Sequence, residues 1–299
     1  MKSHVLERVE SRNAGEWLAE LVVEALLDEA RLAPKPGLVD SRRNGAHTDL
    51  DFALMCRSAH ALKPAFAAMA EAGRAAAAPT LALRETLGRL GREAEATMLH
   101  ATRGVNTHRG AIWAMGLLVA ATAIQGPDAT ASTVAEVAAI IAQTPDRHTP
   151  LRTSNKGERA CREFGVTGAR GQAQSGFPHV IELGLPELRR SRMRGDSETA
   201  SRLNSLLAII SRLDDTCVLS RAGPAALTAF QEHAACVLAA GGVATLSGRR
   251  QLRQLDSLAL ACNASPGGAA DLLAAPLFLD GLQAPAAGVR LAERAYGEV

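Results

Sequence analysis

The sequence predicts an all-α protein on three observations. Apolar residues recur at spacings of three and four through most of the chain. No stretch shows the alternation of a half-buried strand. Pro- and Gly-rich turns separate the periodic segments.

Leu18, Leu21, Val22, Ala25 and Leu32 mark one stripe of a first helix, which must stop before Pro34. Phe52, Met55, Ala59, Leu62, Phe66 and Met69 mark a second amphipathic segment. Further helices are predicted near 81–102, 108–125, 131–142, 168–184, 197–213, 224–240, 249–262 and 267–275. Turn chemistry lies between them, at Gly73 to Pro79, Gly126-Pro127, Pro145 to Gly157, Gly195, Gly241-Gly242 and Ser265 to Gly268. There is no repeat period and no linker biased enough to divide the chain. Residues 1–299 therefore read as a single globular domain of about ten helices with polar Pro/Gly-rich loops, 143–157 being a candidate lid.

A chain that is 47% hydrophobic and 21% charged can bury a large core. A net charge of +2 argues for neither nucleic acid nor membrane. Two Trp, one Tyr and six Phe are too few for a base-stacking platform. Cys56, Cys161, Cys217, Cys236 and Cys262 form no CxxC pair. That speaks against structural zinc and a disulfide framework, and for a reducing cytoplasm. Residues 1–16 are too polar for a secretory signal. The longest apolar run, Ala111 to Ile124, falls short of the roughly twenty residues that span a bilayer, so it reads as a buried core helix.

Residues 34–51, PKPGLVDSRRNGAHTDLD, concentrate charge between helix-breaking Pro and permissive Gly. Such loops, held by rigid helices, are where chemistry tends to sit. Glu29, just ahead, falls on the apolar stripe of the first helix. It reads either as a general base or metal ligand, or as one half of a salt bridge to an Arg. In an extended segment His47, Asp49 and Asp51 would project to one side, as a Mg²⁺ site requires; the competing reading is that an Asp caps the next helix.

Asn106 or Thr107 is a good cap for the apolar helix, and Arg109 beside a helix start makes an anion site; a capped turn with solvated His108 and Arg109 is the alternative. Arg170 lies in a similar but weaker polar turn, Gly168 to Gln172. Arg189, Arg190, Arg192 and Arg194 read as a loop cluster that meets phosphates or is merely solvated. Asp214 and Arg221 would share a helix face, with at most one of Asp214 and Asp215 facing a given site. Ser265-Pro266-Gly267-Gly268 opens a helix whose amides suit phosphate, while Asp271 reads as complementing the helix dipole.

In order, the blocks PKPGLVD…GAHTDLD, GVNTHRGAIW, GARGQAQSGFP, LDDTCVLSRAG and SPGGAADLLA resemble the triphosphoribosyl-dephospho-CoA synthase family, over about residues 18–280. The resemblance implies an all-α transferase that joins ATP to 3′-dephospho-CoA with release of adenine. Its product is the prosthetic-group precursor of citrate lyase or malonate decarboxylase. LDDTCVLSRAG and GVNTHRGAIW look most like the malonate decarboxylase branch, whose acyl carrier protein is the downstream partner. Gln172 stands where many relatives carry Glu, Gln174 also varies, and Ser220 stands where His is common.

The implied reaction assigns Glu29, His47, Asp49 and His108 to catalysis. It assigns Lys35, Asn106, Arg109, Arg170, Arg221, Gly267 and Gly268 to ATP and its phosphates. Asp49, Asp51, Asp214 and Asp215 become candidate Mg²⁺ ligands. A single inverting displacement needs no covalent nucleophile, which leaves the Cys as core residues. No nucleic acid or membrane partner is implied, and a homodimer stays open. The rival readings are an all-α Mg²⁺-dependent nucleotide or ADP-ribosyl hydrolase and a helical adaptor.

Overall fold

The computed structural model describes residues 2–126, 128–149 and 155–283, with side chains from residue 14 on. Within them lie thirteen α-helices: α1 (Lys2–Arg31), α2 (Phe52–Ala61), α3 (Lys63–Ala76), α4 (Leu81–Ala101), α5 (Arg109–Gln125), α6 (Ala131–Gln143), α7 (Lys156–Phe164), α8 (Gly168–Gln174), α9 (Leu185–Met193), α10 (Glu198–Ile210), α11 (Thr216–Ala239), α12 (Leu246–Ala261) and α13 (Gly267–Leu282). A π-helical turn, His179–Gly184, leads into α9. No strand occurs among the described residues.

The helices start where short polar side chains accept the first free amides. Thr80, Thr130, Asn155, Ser197 and Thr245 each accept from the N–H three residues on. The centre is α5, buried on every side from Ala114 to Thr122. It is wrapped by α3, α4, α6 and α13, and α1 packs on α3 and α13. The second half, α9 to α12, is joined to that centre through α10 and α13. One continuous core runs through both halves. A smaller apolar group, Ala30, Val39, Leu50 and Met55, sits beneath the loop between α1 and α2 and anchors it.

Three expectations change. The segment 52–69 is two helices, because Pro64 opens α3 immediately after α2. The segment 168–184 is broken by Gly176 and Phe177, both at positive φ, and α7 was not foreseen. Helix α11 starts eight residues before the expected 224, with non-helical Gly223 ahead of Pro224 marking a kink inside it. The candidate lid falls in part on 150–154, outside the described residues.

α3 packs against the backbone of α5 at Gly73, where an added Cβ would lie 2.4 Å from the Ala120 carbonyl oxygen. Backbone cannot yield as a side-chain tip can. Gly73→Ala is expected to destabilise the fold by about 1–3 kcal/mol in urea titration, despite its better helix propensity.

Candidate active site

The loop between α1 and α2 is organised by buried Asp40. Its Oδ1 accepts from the amides of Arg42 (2.8 Å) and Arg43 (3.1 Å), and its Oδ2 from Lys35 N–H (3.1 Å). Asp256 on α12 accepts from Gly37 N–H at 3.0 Å and pairs with Arg43. Gly37 has φ +66°, and a Cβ there would meet Ala264 O at 2.7 Å, so two constraints demand Gly.

This frame buries Lys35 completely, the charged residue among the largest enclosed side chains. Its Nζ donates to the Glu29 carbonyl at 2.7 Å and to the Glu29 carboxylate. Glu29 is thus paired with Lys35 rather than an Arg. Burial pushes the Glu29 pKa up, and Lys35 opposes that rise. Two of the three lysine N–H groups go to Glu29, so an open phosphate ligand is not what Lys35 presents.

His108 is buried at the start of α5. Its Nδ1 lies 2.8 Å from Ser58 Oγ, which is 2.6 Å from Thr107 Oγ1, while its Nε2 has no hydrogen-bond partner. Burial, aided by Lys35, lowers its pKa to about 3, so the imidazole is neutral near pH 7. His47 is half-buried: Nε2 lies 2.9 Å from Ser265 Oγ, and Nδ1 3.4 Å from Arg221 Nη2. Burial and Arg221 lower its pKa, against Asp49 at 3.8 Å. Arg221 also donates to Ala46 O at 3.2 Å.

Buried carboxylates occupy the helix starts. Asp215 caps α11 through Cys217 N–H (2.8 Å), and its Oδ2 accepts from Ala269 N–H of α13 (2.8 Å). The missing Cβ of Gly268 makes room, since one would lie 3.1 Å from both Asp215 oxygens. The Asp271 carboxylate fits against α5 in the same way: a Cβ on Gly110 would sit 2.3 Å from its Oδ2, and the Gly110 and Ala111 amides face it. Burial raises the pKa of both, and for Asp271 the charges of Glu29 and Asp215 add to the rise. Burial and these two aspartates also push the Cys217 thiol up, which fits an inert core cysteine.

Several expectations are corrected by these contacts. Gly267 and Gly268 do not offer an open phosphate cradle, because Asp215 already fills it. Asp215 is likewise taken up by amides, and Asp51 caps α2 by accepting from Leu54 N–H at 2.7 Å. The segment holding His47, Asp49 and Asp51 is bent rather than extended, so the three do not converge. Asp49 and Asp214 are exposed. Asp214 precedes α11 and does not share a helical turn with Arg221. Among the described residues no group of three His, Cys, Asp or Glu could hold a metal, so the candidate Mg²⁺ ligands do not fit a preformed site.

Asn106 Oδ1 accepts from Arg109 N–H at 3.2 Å, and Arg109 pairs with Glu95. Arg170 is exposed on α8. Arg189, Arg190, Arg192 and Arg194 lie on and just after α9, each in an ion pair to Glu187, Asp196, Glu198 or Asp280. Gln172 meets His179 Nδ1 at 2.9 Å, Gln174 donates to Ala142 O and Ser220 to Cys217 O. Ser265, expected to cap α13, meets His47 instead, and Pro266 takes the cap position with no side-chain bond. The sequence assigns no role to Asp40, Ser58 or Glu95, and to Asp271 only that of a dipole partner. The one sequence signal for Asp271 is a carboxylate in the first turn after Gly-Gly. A depression of about 540 Å³ between α6, the π turn and α9 is lined by Arg189 and Arg190 but by none of Glu29, Lys35, His47, His108, Asp215 and Asp271.

Residues 15–289 match the family described as CitG: ATP:dephospho-CoA triphosphoribosyl transferase. The chain belongs to this family. It is an enzyme of the transferase class. A 2-(5''-triphosphoribosyl)-3'-dephosphocoenzyme-A synthase of Klebsiella pneumoniae is 58% identical over 264 residues, which cover 88% of this chain and 94% of the relative. The "Probable 2-(5''-triphosphoribosyl)-3'-dephosphocoenzyme-A synthase" of Stutzerimonas stutzeri is 57% identical, covering 90% and 93%. No solved structure matches. No helix among the described residues is long and apolar enough to cross a membrane.

Lys35→Met should leave Glu29 without its cation and cost about 3–5 kcal/mol in chemical denaturation. Adding Glu29→Gln to it should restore part of that loss, since an amide needs no counter-charge. His108 carries a further expectation. Its folded pKa is about 3, against about 6.5 unfolded, so the unfolded chain binds more protons between those values. The stability it contributes is complete above about pH 6.5 and is lost as pH falls toward 3. His108→Gln should therefore lose less stability than the parent between pH 7 and pH 5, measured by urea midpoints.

Proposed function

We propose that this chain transfers the triphosphoribosyl group of ATP to the 2′-hydroxyl of 3′-dephospho-CoA and releases adenine. The observation that carries the reading is the joining of distant sequence blocks at one site, within a chain that matches the family from residue 15 to 289. His47 meets Ser265 and Arg221, Asp215 meets Ala269, and Asp271 meets Gly110. Four parts of the chain thus share one region of charge.

The displacement passes through an oxocarbenium-like transition state and needs a proton for adenine and a base for the hydroxyl. Burial raises the pKa of Asp271 and of Glu29, the direction a proton-donating carboxyl requires, with Lys35 opposing the rise at Glu29. Neutral His108, with Nε2 unpartnered, offers a hydrogen-bonding position rather than a base, since burial disfavours its protonation. Arg221 and His47 bring donors for phosphate oxygens. Mg²⁺ characteristically binds through substrate phosphates and one or two carboxylates. Asp49 and Asp214, exposed and without a capping role, are the acids open to it. No step rests on that ion. For the malonate decarboxylase acyl carrier protein as ultimate recipient, the support is the motifs LDDTCVLSRAG and GVNTHRGAIW; citrate lyase is the other reading.

The deciding assay follows adenine by chromatography with ATP alone and with ATP plus dephospho-CoA. Adenine should appear only with both, together with the joined product; release indifferent to dephospho-CoA would favour a hydrolase. Asp271→Asn is expected to lower kcat by at least about 10², in the range of lost acid–base help, with the circular dichroism spectrum retained. Near-normal turnover would remove Asp271 from the chemistry. The same comparison with Asp49→Asn tests the exposed acid.

A further inference from the structure

Arg84 on α4 is 6% exposed, yet its Nε and Nη1 have no hydrogen-bond partner. The nearest acid is Asp146, itself enclosed, and its oxygens are already engaged. Oδ2 accepts from Arg92 Nη1 at 2.9 Å, and Oδ1 from His148 N–H at 2.9 Å. Arg84 Nη1 stands 3.6 Å from Oδ2, an ion pair but beyond hydrogen-bond reach. Its guanidinium lies over the Trp113 ring, 5.2 Å from the centroid. A ring face attracts the charge but does not satisfy N–H groups lying in the guanidinium plane.

The surroundings add cations. Trp113 Nε1 donates to Ala169 O at 3.2 Å, which brings α8 and the neighbouring Arg170 onto this face. Arg170 and Arg92 both repel the Arg84 charge, and only Asp146 offsets them. Buried cations left with open donors beside like charges are costly, and an anion bound between them would offset that cost. Trp113 lies one helical turn, about 6 Å, beyond Arg109 at the start of α5, so this patch adjoins the site already described.

We propose that Arg84, Arg92 and Arg170, backed by Trp113, form a second subsite for a phosphoanhydride chain. The proposal rests on the two-substrate reading above. Both substrates carry such a chain, and Arg221 and His47 serve only one. The subsite holds the other: the diphosphate of dephospho-CoA or the triphosphate of ATP.

The test uses the full chain with Arg84→Met and Arg170→Ala. Each variant should weaken binding of inorganic tripolyphosphate by about tenfold in calorimetry, and raise KM for one nucleotide substrate by a similar factor. Which KM rises identifies the chain that is bound, and either outcome supports the subsite. Arg84→Met should also keep or raise Tm, because an apolar side chain replaces a buried cation with open donors. A purely structural Arg84 would instead lower Tm and leave tripolyphosphate affinity unchanged. Unchanged KM for both substrates and unchanged tripolyphosphate affinity would overturn the subsite, even with the parent making product. If the parent makes no joined product, the functional reading fails, and the tripolyphosphate titrations alone decide the subsite.

Discussion

Asp215 is the contact on which the site's architecture depends. One carboxylate closes the start of α11 and, through Ala269 N–H, the start of α13. Helix starts carry partial positive charge and free amides, so a buried carboxylate there is both paired and hydrogen-bonded. The Gly268 backbone approaches because no Cβ intervenes. With α13 held in this way, Ser265 reaches His47 and Asp271 reaches α5. The loop from 34 to 51 is therefore tied to the C-terminal helices through side chains more than two hundred residues away in sequence.

The electrostatics follow from that arrangement. Glu29, Asp215 and Asp271 influence one another in a buried region, where Lys35 is the enclosed cation. Carboxylates that cannot all be charged at low cost hold protons more tightly. The same burial removes the charge from His108. Burial thus favours the neutral form of both the acids and the histidine in this region. The helix-terminal anion sites, by contrast, are filled by the protein's own carboxylates. Guanidinium groups around the rim, such as Arg221, are the donors we propose for phosphate.

Much of the fold was legible because helix periodicity is a local property. The stripe from Leu18 to Leu32 and the run from Ala111 to Ile124 are buried as expected. The stop before Pro34 and the cap at Asp51 follow from elementary backbone chemistry. Boundaries went astray where a Pro or a positive-φ residue splits a periodic stretch, as at Pro64 and Phe177. The site was legible only in part. Glu29 and Lys35 were singled out, but their partnership with each other was not. Arg84 gave no signal, because its open donors depend on Arg92 outcompeting it for Asp146.

The sequence by itself determined most of the helices, several of the breaks between them and the membership of a family of triphosphoribosyl transferases. Those properties live in residue spacing and in short ordered blocks, which survive without any knowledge of packing. The tertiary structure decided which polar groups are spent on holding helices and which are left without a partner in the protein. Asp215, Gly267 and Gly268 are spent, while His108 Nε2 and the Arg84 donors stay open. That division depends on burial and on partners far apart in the chain, because a polar group's cost and protonation are set by what surrounds it in space.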